Sequence, residues 1–84
     1  MCQEDVLKIL VEESRKDITK WFSMVDIEKL LKERNYPTVV FNKKINRLYA
    51  YGFLDVIIPE GKGTMYMRRK FRPKLNIIFH IENK

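Results

Sequence analysis

Cysteine, histidine and glycine are scarce in this chain: Cys2 and His80 are the only residues of their kinds, and there are three glycines in 84 residues. One thiol excludes an internal disulfide and fits a reducing compartment. One thiol with one imidazole does not make a zinc cluster, so no metal is expected. Gly61-Lys62-Gly63 is too short for a phosphate-cradling loop and joins two apolar stretches. No Ser/His/Asp or Cys/His set suggests nucleophilic catalysis. The acidic pairs Glu4-Asp5 and Glu12-Glu13 read as solvent-facing. No enzyme activity, no cofactor and no small-molecule ligand are therefore expected. No apolar run approaches the roughly 18 residues needed to cross a bilayer. Glu4 and Asp5 stand where a signal peptide carries basic residues. The expectation is a soluble, cytoplasmic protein with no membrane partner.

Acidic residues are also missing from one half. Met1–Pro37 holds seven Lys/Arg and eight Asp/Glu, whereas residues 38–84 hold ten Lys/Arg and three Asp/Glu. The net charge of +6 thus arises entirely in the second half. Such asymmetry points to a polyanionic partner. A lysine-rich surface kept for stability is the bland alternative.

What is present reads as one small α+β domain over residues 1–84. Val6, Leu7, Ile9 and Leu10 give an apolar stripe that predicts a helix over Gln3–Ser14. Trp21-Phe22 predicts a brief strand across the core. Ser23 is the expected N-cap of a second helix, Met24–Arg34, with Asp26 in the capping-box position. Asn35-Tyr36-Pro37 is expected to break that helix, since proline disfavours helical geometry in the residue before it. Thr38 is then the expected N-cap of a third helix running over 38–51, with Gly52 as its left-handed stop. Leu54, Val56 and Ile58 alternate as a strand. Thr64–Arg69 is expected to return as its hairpin partner. Leu75, Ile77, Phe79 and Ile81 alternate too, predicting an extra C-terminal strand or apolar tail. Ile78 falls on the wrong face for that strand. Residues 1–71 would form the core fold and residues 72–84 an extension.

The order helix, short strand, helix, helix, hairpin resembles the winged helix-turn-helix DNA-binding superfamily. The resemblance is carried by Trp21-Phe22-Ser23, by Ile27-Leu30-Leu31, and above all by Phe41…Ile45…Leu48…Gly52-Phe53-Leu54. It implies that the third helix enters the major groove and that Glu60–Gly63 is a wing tip touching the adjacent backbone or minor groove. The turn Asn35–Pro37 is longer than the tightest turns of that family.

On a helical wheel Phe41, Ile45 and Leu48 share one face, while Lys43 and Asn46 lie opposite with Arg47 just beyond. Arg47 can bridge guanine O6 and N7, and Asn46 or Asn42 can pair with adenine. Lys43 and Lys44 suit phosphates, and Thr38 can offer a hydroxyl or a backbone N–H. Lys62, Arg68 and Arg69, with Arg72, are the wing candidates. A solvated helix face and edge-strand protection are the bland readings of these two groups. Trp21 and Phe22 read as core, Met65 and Met67 as gap-fillers, and Tyr49, Tyr51 and Tyr66 as half-buried packing or stacking platforms. The expected function is sequence-specific binding of double-stranded DNA by a small transcriptional regulator. So small a domain makes few base contacts, so a homodimer is expected, joined through Leu75–Ile81. The alternatives are a winged-helix protein-interaction module within a replication or transcription complex, and single-strand or RNA binding through the tyrosines.

Overall fold

In the computed structural model, which describes residues 2–80, α1 (Gln3–Lys16) leads through a short connection to β1 (Phe22–Ser23). Then follow α2 (Met24–Glu33), α3 (Phe41–Ala50), β2 (Leu54–Ile57), the single turn α4 (Met65–Arg68), β3 (Lys70–Pro73) and α5 (Leu75–Ile78). The result is an α+β domain with an antiparallel sheet ordered β1-β3-β2.

Local chemistry sets most helix ends. The Ser23 hydroxyl accepts from Asp26 N at 3.1 Å, and the Asp26 carboxylate accepts from Ser23 N at 3.0 Å, closing the capping box. α2 and α3 end alike. Asn35 and Gly52 take positive φ, 61° and 84°. The next amides, Tyr36 N and Phe53 N, reach back to Leu31 O and Leu48 O, both at 2.9 Å. Each is a Schellman closure, in which a left-handed residue lets the chain satisfy carbonyls that the helix leaves open. So α2 ends at the expected break, Asn35-Tyr36-Pro37, with Asn35 as its left-handed residue.

The start of α3 departs from expectation. Thr38 does not cap it. Thr38 and Val39 lie in the preceding turn, and Val40 holds the N-cap position with φ 57° and ψ 18°. A β-branched side chain in left-handed geometry is strained by about 1–2 kcal/mol. Val40 is about half exposed, so a replacement there forfeits little burial. Val40→Asn is therefore expected to raise stability by about 1 kcal/mol, since asparagine tolerates this region. Thermal unfolding would read this as a midpoint roughly 4–8 °C higher.

Among the described residues, ten buried apolar side chains cluster in one core, drawn from all three long helices and all three strands. Phe71 lies at its centre, paired with Phe22 on one side and Val56 on the other. Ile45 and Leu48 are buried and Phe41 packs against them, so the apolar face of α3 is the expected one. β3 is central yet ends in Pro73. β1 spans only two residues, so the missing proline N–H falls beyond its reach.

Two further expectations fail. Thr64–Arg69 is not the returning strand: its hydroxyl-capped turn is α4, and the partner of β2 is Lys70–Pro73. Leu75–Ile78 is a helix rather than a strand, with Ile78 buried. α5 packs on α1, where Arg15 donates from Nε to Ile78 O and from Nη2 to His80 O, each at 3.0 Å. Residues just past Phe71 therefore belong to the folded body. Ile81 lies outside the described residues. No helix among the described residues is long and apolar enough to cross a membrane.

Candidate functional site

α1 and α2 obey the helix dipole: acids occupy their first turns and bases their last. α3 does not. Its first turn has no acid, and Lys43 stands there at the end that favours negative charge. A mismatched charge at that position costs about 0.3–1 kcal/mol, so stability does not explain it.

Pairing shows the same contrast. In the first half Glu13 binds both Lys16 and Arg34, at 2.8 and 3.0 Å, and Glu28 meets Lys32 at 3.5 Å. These hydrogen bonds, from Lys16 first and Arg34 second, hold the Glu13 carboxyl below its ordinary pKa. In the second half the only ion pair among the described residues is Lys74–Asp55, at 2.8 Å. Lys43, Lys44 and Arg47 on α3 meet no carboxylate among the described residues. The same holds for Lys62, Arg68, Arg69 and Lys70 along the β2–β3 connection. That connection carries one acid of its own, Glu60.

The exposed face of α3 presents Asn42, Lys43 and Arg47 to solvent, while Lys44 and Asn46 are half-buried. Asn46 is engaged: its side-chain oxygen accepts from Arg69 Nη1 at 3.3 Å. The Arg69 guanidinium lies 4.0 Å from the centre of the Tyr66 ring and 5.0 Å from that of Phe71. Its Nε donates to Tyr66 O at 3.2 Å. The Asn46 and then the Asn42 side chains act on the Tyr66 phenol and lower its pKa from the ordinary value. Arg69 thus pins α4 onto α3, and the two elements make one surface. Its Nη2 is covered and has no hydrogen-bond partner among the described residues.

The expected site residues therefore divide. Asn42, Lys43 and Arg47 share the exposed α3 face, Lys44 is half-buried on its flank, and Lys62 is exposed in the connection. Thr38 is half-buried in a turn and caps no helix. Arg68 and Arg69 are half-buried and bound internally, Arg68 Nη1 donating to Pro59 O at 2.9 Å. Arg72 is likewise taken up, stacked 4.3 Å from the Trp21 ring centre and donating to Ile18 O at 3.4 Å. Arg68 and Arg69 brace the β2–β3 connection, and Arg72 ties β3 to the segment before β1.

Tyr66, Met65 and Met67 were expected to pack, yet α4 buries none of its residues. They are 50%, 62% and 73% exposed. Thr64, a hydroxyl residue placed to cap a turn, was the available signal. Comparison with known protein families, curated proteins and solved structures finds no match.

Proposed function

We propose that the chain is a winged helix-turn-helix domain that binds double-stranded DNA sequence-specifically, as a small transcriptional regulator. In this reading α2 and α3 are the helix-turn-helix, and the β2–β3 connection is the wing. The observation that carries the reading is the set of cations on α3 and the β2–β3 connection that meet no carboxylate among the described residues. A duplex supplies the missing negative charge at regular spacing. Arg47 and Asn42 read base edges in the major groove, and Lys43, Lys44 and Lys62 meet phosphates. Asn46 acts by holding the wing through Arg69. Two copies read half-sites about 34–36 Å apart. Leu75 and Phe79, 47% and 64% exposed, support a dimer contact through α5 and the residue after it.

The test is selection of random duplexes followed by titration in salt. With these three phosphate contacts per domain and a slope near −0.9 per contact, affinity should fall about fortyfold between about 50 and 200 mM salt. Equal affinity at both salts, or selection of no motif, would remove the reading.

A further inference from the structure

We propose that α4 is an apolar wedge that enters the minor groove and kinks the duplex, with Met65 and Met67 as the inserting side chains. The inference rests on the duplex-binding reading and adds to it what the wing does there.

A helical turn that buries no residue is not held by hydrophobic packing. α4 is held by polar ties instead. Thr64 Oγ1 accepts from Met67 N at 3.2 Å, and Arg68 N closes onto Thr64 O at 3.1 Å. Arg68 fastens the turn to Pro59 O, and Arg69 fastens it to Asn46 of α3. Two arginines are thus committed to fixing a turn whose apolar side chains point away from the core. The arrangement presents Met65 and Met67 in a defined place, which a floppy loop would not do. Gly63, at φ 98°, turns the chain into this unit beside the Met67 side chain.

The occupant follows from what surrounds the methionines. Lys62 and Lys70 are exposed on either side of α4 in the chain, and Arg68 and Arg69 lie at its end. Glu60 is the single acid of the connection. An apolar tip flanked in the chain by exposed lysines fits a groove whose walls are phosphates and whose floor exposes base steps. Flexible apolar side chains can enter such a step and unstack it, and methionine is among those used. The Asn46–Arg69 tie makes α4 continuous with α3, so one ligand spans both.

The experiment compares the wild type with Met65→Ser/Met67→Ser and Met65→Leu/Met67→Leu on an end-labelled duplex carrying the selected motif. End-to-end distance is read by energy transfer, and binding is titrated in parallel. The wild type and the leucine variant should bend the duplex within the range of about 20–90° that apolar wedges produce. The serine variant should keep the salt dependence and leave the duplex straight. Because both methionines are exposed, far-UV circular dichroism should be the same for all three proteins. Salt-sensitive binding to an unbent duplex, or equal bending by the serine variant, overturns the wedge and leaves the duplex reading standing. Absence of salt-sensitive duplex binding overturns both.

Discussion

Lys43→Glu combined with Arg47→Ala should abolish duplex binding while leaving the fold as stable as before. Arg47, as a bidentate base contact, accounts for about 1–3 kcal/mol of discrimination. Losing it together with a phosphate contact, and placing a carboxylate against the backbone, should weaken binding at least about hundredfold. The slope of log affinity against log salt should become shallower by about 1 for the lost lysine contact. Stability should move the other way for Lys43→Glu alone. An acid in the first turn of α3 matches the dipole that Lys43 opposes, so the midpoint of thermal unfolding should hold or rise slightly. This opposition separates a functional lysine from a decorative one. A lysine kept only for solubility would change neither slope nor affinity, and one kept for the fold would lower the midpoint on removal. Undiminished affinity with an unchanged slope would show that α3 does not face the duplex.

Where short-range chemistry decides, the structure was legible in the sequence. Ser23 with Asp26 marks a helix start, because both hydrogen bonds of the box form within four residues. Gly52 marks a helix stop, because its φ of 84° suits a residue without a side chain. The buried face of α3 follows from three apolar residues at helical spacing. The misreadings occur where distant contacts override local pattern. Thr64–Arg69 follows an apolar strand and a glycine turn as a hairpin partner would, yet Arg68 and Arg69 find partners in Pro59 and Asn46, nine and 23 residues away. Thr38 has the side chain of a cap, but the cap position falls on Val40, whose strained backbone no local preference predicts. In Leu75–Ile78 apolar residues are too frequent to distinguish two periods. Burial of Ile78, the residue that fitted the strand badly, belongs to the helix against α1. The α3 side of the candidate site could be drawn from a helical wheel. The wing side could not, because whether an arginine is free or bound depends on the tertiary fold.

Phe71→Ala should be the most damaging single core substitution. Phe71 is fully buried in the central strand, with Phe22 and Val56 as its cross-strand neighbours. Its ring also lies beneath the Arg69 guanidinium. Truncating a buried phenylalanine costs about 3–5 kcal/mol, transfer and cavity terms together. A domain of this size has only about 5–15 kcal/mol in total and sits toward the lower end, since small domains bury a smaller share of their surface. The unfolding midpoint should fall by roughly 12–40 °C, enough to leave a substantial unfolded fraction near physiological temperature. Met65→Ala, on the exposed turn α4, should stay within about 0.5 kcal/mol of the wild type. Loss of the Phe71 ring should loosen the β2–β3 connection, because β3 is the strand that returns from it and Arg69 stands just before its first residue. Amide exchange across residues 64–70 should therefore accelerate in Phe71→Ala beyond what its global destabilisation explains. Similar midpoints for Phe71→Ala and Met65→Ala would mean that the strand order β1-β3-β2, on which the placement of the β2–β3 connection beside α3 depends, is wrong.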